Sequence, residues 1–177
     1  MKKNSLLALA LPFALLLCIP GPRLTAQEMH HKAPSVRSTT LTLTYAGKSL
    51  TLTPASVASL PHTTVTVFNA HTKASETYSG VPLAALLAKL GVPQGEAVRG
   101  HLFMTGVIAE GTDGYRVLYA LAEVDLTIHT GQVLVADAED GKPIAADGAF
   151  KIISTEEKRP ARWVRNLDKI SVITVKP

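Results

Sequence analysis

The residues best suited to chemistry begin with a polar pair that follows a β-branched segment. Asn69 and His71 come directly after Thr63–Phe68, which favours a core strand. An amide supplies hydrogen-bond donors and acceptors, and an imidazole can bind a phosphate or a metal. Asn69 is therefore a candidate pocket residue or, equally, a turn cap. His71 is a candidate for the rim of such a pocket, with an ordinary loop histidine as the alternative.

A second candidate group is the densest basic cluster of the chain, at Lys158, Arg159, Arg162 and Arg165. Guanidinium groups match the oxygens of phosphate and carboxylate, so Arg162 and Arg165 could capture a small anionic ligand. Two glutamates stand immediately before the cluster, so a solvated surface run remains open. Trp163, the only tryptophan, is predicted to form a core or pocket wall, with its N–H bonded.

The first 26 residues predict an export signal that is cleaved. Two lysines precede an apolar run from Leu6 to Ile19, and the segment ends in the small residue Ala26. The apolar run is shorter than the roughly 20 residues needed to span a bilayer, and no later segment is apolar enough. Cys18, the only cysteine, would leave with the signal, unless it is retained as a lipid-modified N-terminus. The mature chain is therefore expected to be periplasmic or secreted and to have no thiol.

Charge excludes another class of function. The chain has 18 basic and 14 acidic residues, and cleavage after Ala26 removes three basic residues and no acidic one. The mature net charge is then near +1, which gives no case for nucleic-acid binding. We expect a flexible segment at 27–37 and one domain at 38–177.

Alternating and β-branched segments predict a mixed, strand-rich α+β fold with one main helix. The main helix is predicted at Pro82–Leu90, with Gly91 as its C-terminal glycine. A short helix is predicted from Thr53 to Leu60. Strands are predicted at Thr39–Tyr45, Ser49–Thr53, Thr63–Phe68, a region within Val98–Ala109, Tyr115–Tyr119, Gln132–Asp137, Ala149–Ser154 and Lys169–Val175. One short helical turn is predicted at Ala120–Val124, and a turn or short helix at Ala161–Leu167.

The order of several short motifs resembles the sulfite oxidase-like, or oxidoreductase molybdopterin-binding, domain family. The similarity covers about Leu41 to Val175. Its motifs are Leu52-Thr53-Pro54, Thr64-Val65-Thr66-Val67, Tyr78-Ser79-Gly80-Val81-Pro82-Leu83, Asp113-Gly114-Tyr115, Ala120-Leu121-Ala122-Glu123, Asp140-Gly141-Lys142-Pro143-Ile144 and Arg162-Trp163-Val164. The resemblance implies the molybdopterin-binding fold of a compact, stand-alone member, and molybdopterin as a possible cofactor.

One departure from the family decides the functional hypothesis. In catalytic members a cysteine after the strand matching Thr64–Phe68 binds molybdenum, and here Asn69 stands at about that position. A neutral amide is a poor substitute for a thiolate. We therefore expect a non-catalytic binding or accessory module for a small anionic ligand or a redox partner protein. Its candidate pocket residues are Asn69, His71, Arg162, Trp163 and Arg165. The alternative is a genuine molybdopterin-dependent oxidoreductase whose metal site lacks cysteine.

Export gives the first testable prediction. Mass spectrometry of the protein recovered outside the cytoplasm should show a chain beginning near Gln27, without residue 18, because the signal peptidase cuts after the small residue Ala26. An exported chain that retains Cys18 would contradict the expectation of a mature protein without a thiol.

Overall fold

The computed structural model describes residues 36–175. Over this range the chain forms a strand-rich, mixed α+β fold, as predicted, and its elements are two sheets and three short helices. The predicted signal peptide and most of the predicted flexible segment lie outside the described residues, so both stay predictions. None of the helices between residues 36 and 175 has the length and apolar character needed to cross a bilayer.

The elements follow one another along the chain in the following order. The strands are β1 (Leu41–Tyr45), β2 (Lys48–Leu52), β3 (Thr63–Asn69), β4 (Ala74–Pro82), β5 (Thr105–Gly111), β6 (Arg116–Ala120), β7 (Val133–Glu139), β8 (Lys142–Pro143), β9 (Lys151–Ser154) and β10 (Leu167–Thr174). The helices are α1 (Pro54–Ala58), α2 (Leu83–Lys89) and α3 (Leu121–Val124). Short 3-10 turns occupy Gly95–Ala97, Gly100–Met104 and Pro160–Arg162.

The first sheet has the strand order β2-β1-β10-β5-β6. Its neighbours pair antiparallel except β1 and β10, which are parallel. Its inward residues alternate along the strands, as in Leu41 and Leu43 of β1, which are both fully buried. They join α2 and one face of the second sheet in the larger hydrophobic core.

The second sheet has the order β3-β4-β7-β8, and β9 also pairs with β7. Consecutive residues of a strand point to opposite faces. Accordingly Val135 and Ile152 belong to the larger core, whereas their neighbours Ala136 and Ile153 belong to a smaller one. The smaller core also contains Val67, Tyr78, Ile144 and Trp163. The second sheet therefore has one face for the larger core and one face on which a separate site can form.

Two helix boundaries, the start of α1 and the end of α2, follow from local sequence signals. Thr53 caps α1 through its side chain, which accepts from the Ser56 N–H at 3.2 Å, while the Ser56 hydroxyl accepts from the Thr53 N–H at 2.8 Å. Gly91, just beyond α2, has φ +81°, a conformation that glycine adopts without strain.

Three predictions of local structure were wrong or incomplete. β4 was not predicted, because its first residues are polar and its last ones matched a helix start. The region Val98–Ala109 is a strand only from Thr105, since a 3-10 turn occupies Gly100–Met104. The segment Ala161–Leu167 is helical only at its start, in the turn Pro160–Arg162, and Trp163 is already extended, with φ −84° and ψ 106°.

Gly80 allows β4 and β7 to approach closely beside a shift in their register. A Cβ atom at this position would lie 2.3 Å from the carbonyl oxygen of Val135 and 2.5 Å from the Cα of Ala136. Both neighbours are backbone atoms of a buried strand, which a side-chain rotation cannot move away. Glycine is thus a packing requirement at the centre of the second sheet.

Replacing this residue gives a stability prediction. Gly80→Ala should lower the free energy of unfolding by about 1–3 kcal/mol, because the backbone of β7 must shift to admit the methyl group. Urea denaturation measures the change. Gly106→Ala is the matched control: the one atom its Cβ would approach too closely is the Cδ1 of Leu118, at 2.6 Å, and Leu118 is an exposed side chain that can rotate. A loss in Gly106→Ala as large as in Gly80→Ala would contradict the packing argument.

Candidate ligand pocket

A cavity of about 510 Å³ opens on the second face of the second sheet. This volume lies within the range of small-molecule sites. We call it the Tyr78 pocket. Its lining comes from the β3–β4 hairpin, the end of β7, the start of β9, the β5–β6 turn and the segment after Pro160. The lining residues are Asn69, His71, Thr72, Glu76, Tyr78, Asp113, Tyr115, Glu139, Ala146, Asp147, Lys151, Pro160, Ala161, Trp163 and Arg165.

Asn69 is the last residue of β3, and both the oxygen and the nitrogen of its side-chain amide form hydrogen bonds. The Oδ1 atom accepts from the backbone N–H of His71 at 2.9 Å and of Thr72 at 3.4 Å. The Nδ2 group donates to the two carboxylate oxygens of Glu76, at 3.0 and 2.9 Å. Asn69 is 8% exposed. It lines the pocket and at the same time caps the hairpin turn, so the two roles expected of it coexist.

Glu76 is the centre of this hydrogen-bond network. Its carboxylate accepts from the Thr72 hydroxyl at 2.7 Å and the Tyr78 hydroxyl at 2.7 Å, in addition to Asn69. Partial burial opposes ionisation, but the hydrogen bonds from Tyr78, Asn69 and Thr72 and the charge of Lys151 outweigh it, so the pKa of Glu76 is lowered. The group is therefore a carboxylate at neutral pH.

Tyr78 and Lys151 form the floor of the pocket. Tyr78 is fully buried, and the Lys151 Nζ donates to its hydroxyl at 3.0 Å. The Tyr78 hydroxyl also lies 3.1 Å from Oε1 of Glu139. Burial, the hydrogen bond to Glu76 and the neighbouring carboxylates all raise the pKa of Tyr78, so the phenol keeps its proton. Lys151 in turn forms an ion pair with Asp147 at 2.8 Å, with its side chain only 7% exposed.

Trp163 forms a wall of the pocket, as the sequence predicted for the only tryptophan. Its ring meets the Tyr78 ring edge to face at a centroid distance of 5.9 Å, and the Lys151 Nζ lies 5.9 Å from its centre. The indole N–H donates to the Ser154 carbonyl at 2.9 Å.

His71 and Arg165 stand at the same pocket. His71 is exposed, and Arg165 has a side chain 69% exposed, with its Nη1 3.8 Å from Oδ1 of Asp147. The structure thus brings four of the five candidate residues together. That they bind a ligand stays a proposal.

Arg162, the fifth candidate, lies elsewhere, in a second recess of about 200 Å³. Its guanidinium pairs with Glu123 at 3.2 Å and Glu157 at 3.0 Å, and sits 4.2 Å above the Tyr119 ring. It also donates to the Leu118 carbonyl. The basic cluster therefore does not converge on one ligand, because the 3-10 turn ends at Arg162 and the side chains of Arg162 and Arg165 line different cavities.

The carboxylates are the pocket residues that the sequence did not reveal. Glu76 and Glu139 belong to β4 and β7, which are far apart in sequence and become neighbours only when the sheet forms. Asp147 lies in the loop between β8 and β9. Asp113 belongs to the β5–β6 turn, where its Oδ1 accepts from the Tyr115 N–H at 2.9 Å. Polar residues at strand ends are the one signal that could have drawn attention to them. Within residues 36–175, no three acidic, histidine or cysteine side chains are grouped so as to hold a metal ion.

The Glu76 network predicts a pH-dependent stability. Glu76→Gln should lower the free energy of unfolding at pH 7 by about 1–2 kcal/mol, because the donors around residue 76 lose a charged acceptor. Since the folded pKa of Glu76 is lowered, its contribution is complete above the ordinary glutamate pKa of about 4.3 and is lost as the pH falls through the folded value. The difference between wild type and variant should therefore shrink in urea titrations at low pH.

Glu96→Gln is the matched control, because Glu96 is an exposed glutamate outside the pocket. It should change stability by less than about 0.5 kcal/mol at every pH. A Glu76→Gln variant that behaves like this control would show that the network is not formed.

Comparisons with known proteins support the fold alone. The sequence matches no protein-family model. The curated proteins give no match either. Among solved structures, the chain is similar to the sulfane dehydrogenase SoxCD from Paracoccus pantotrophus, with a TM-score of 0.56 and 16% sequence identity. The match covers 78% of this chain and 39% of that one, so the chain spans about two fifths of that relative's length.

Proposed function

We propose that this chain is an exported, non-catalytic binding or accessory module that keeps the fold of a molybdopterin-binding domain and binds a small ligand in the Tyr78 pocket without a metal. One observation carries the proposal: every polar atom of the Asn69 side chain has a partner within the protein. In the resemblance stated above, this position belongs to the residue that binds molybdenum.

Molybdopterin fits the Tyr78 pocket poorly on two grounds. The first is the donor set, because Asn69 is a neutral amide held by the hairpin and by Glu76, and high-valent molybdenum favours an anionic sulfur ligand. The second is charge. Four carboxylates line the pocket against two permanent cations, Lys151 and Arg165, whereas a pterin phosphate needs convergent basic groups.

Export remains part of the proposal because of the N-terminal sequence. The polar start, the short apolar run and Ala26 are the features that support it. If the signal is removed as proposed, the ligand is one met in the periplasm or outside the cell.

The competing function is a molybdopterin-dependent oxidoreductase with an oxygen or nitrogen ligand on the metal. The fold likeness to a dehydrogenase favours it. An oxygen or nitrogen ligand from Asn69 would have to be freed from its present partners, and a metal held by the pterin dithiolene alone would still require several convergent donors for the pterin phosphate.

Cofactor content tests the proposal. The full chain, expressed with its signal in a host that makes molybdopterin, should contain neither molybdenum by elemental analysis nor pterin by fluorescence after oxidation. A cysteine-bearing molybdopterin enzyme from the same host is the positive control. Stoichiometric molybdenum and pterin in the purified chain would refute the proposal and establish the competing function.

A further inference from the structure

We infer that the Tyr78 pocket selects an organic cation, a small molecule with an ammonium or guanidinium group on an apolar body, and not the anionic ligand that the basic cluster suggested. This inference rests on the proposed function, because it names the class of ligand that the module binds.

The charge around the cavity is the first step. Glu76, Asp113, Glu139 and Asp147 line it, so its formal charge with Lys151 and Arg165 is −2 when His71 is neutral. An anion entering this cavity would be repelled, and a cation would be attracted, most strongly where water is excluded.

The buried cation of the pocket is already engaged. Lys151 is paired with Asp147 at 2.8 Å and donates to Tyr78 at 3.0 Å, and its charge lies 4.8 Å from the Tyr78 ring centre. Arg165 is mostly exposed and 3.8 Å from the same aspartate. An anion would have to compete with these partners for Lys151, whereas a cation would leave them in place.

Acceptor capacity remains on Asp113 and Asp147. Asp113 uses its Oδ1 for the Tyr115 N–H, and a carboxylate offers about four lone-pair sites on its two oxygens. Asp147 has its Oδ1 beyond hydrogen-bond distance of Arg165, while its Oδ2 binds Lys151. These groups can accept from an ammonium or guanidinium donor.

The walls and the spread of the acidic groups favour an organic cation over a metal ion. Trp163, Tyr115, Pro160 and Ala161 supply aromatic and apolar surface, and aromatic faces attract cations. No three metal-ligating side chains of residues 36–175 are grouped closely enough to hold an ion. A ligand with one charged end and an apolar body uses both kinds of surface.

The experiment is isothermal titration calorimetry of the full chain with three para-substituted phenols of similar shape and different charge. Tyramine is cationic, 4-ethylphenol is neutral, and 3-(4-hydroxyphenyl)propionate is anionic. Tyramine should bind saturably and at least tenfold more tightly than the other two, with an affinity that falls as salt is added.

Two substitutions with opposite expected effects make the test specific. Asp113→Asn keeps an acceptor for the turn but removes a charge, and should weaken tyramine binding about fivefold. Arg165→Met removes an exposed positive charge and should tighten tyramine binding twofold to fivefold. Arg159→Met is the control, because Arg159 is exposed in the same segment but does not line the pocket, and should leave binding unchanged.

Each contrary result has a definite meaning. Tighter binding of the propionate, weakened by Arg165→Met, would overturn the inference of a cationic ligand and leave the binding module intact. Absence of saturable tyramine binding would also overturn the inference. Molybdenum and pterin in the purified chain would instead overturn the proposed function itself.

Discussion

The contact between the Asn69 amide and the Glu76 carboxylate is the interaction on which the site depends. It ties the end of β3 to the start of β4 across their hairpin, while the other side of the amide holds the turn at His71 and Thr72. Glu76 then fixes the Tyr78 hydroxyl. Because hydrogen bonds to an ionised group are stronger than neutral ones, this chain of contacts holds the pocket floor in one arrangement.

The two faces of the second sheet explain how a small domain accommodates both a core and a polar site. One face completes the larger core with the first sheet and α2, so the larger core lies on the side away from the pocket. The other face carries the smaller core that contains Tyr78 and Trp163. The buried charge of Lys151 is tolerated there because the Tyr78 hydroxyl and the Asp147 carboxylate both lie at hydrogen-bond distance.

Sequence reasoning predicted the parts of the fold that depend on local signals. The Thr53 cap and the Gly91 terminus follow from side-chain and φ preferences of single residues. β4 was not predicted, because it is a strand through its pairing with β3 and β7 and its own composition does not indicate one. Arg162 and Arg165 were grouped because they are close in sequence, but the helical turn ends at Arg162, Trp163 is extended, and the two side chains line different cavities.

The pocket carboxylates could not be predicted for a related reason. Glu76 and Glu139 are brought together by the register of β4 on β7, which pairs Tyr78 with Glu139. Register depends on the whole sheet and on the close approach at Gly80, and no short motif encodes it. The position of Asn69 could be identified from sequence, whereas its partners required the three-dimensional arrangement.

A double-mutant cycle on Asn69→Ala and Glu76→Ala tests the central claim most directly. If the amide is committed to the carboxylate, the two losses in unfolding free energy should be non-additive by about 1–3 kcal/mol at pH 7. Additive losses, with a coupling indistinguishable from zero, would mean that the Asn69 side chain is free to serve another ligand and would contradict the account.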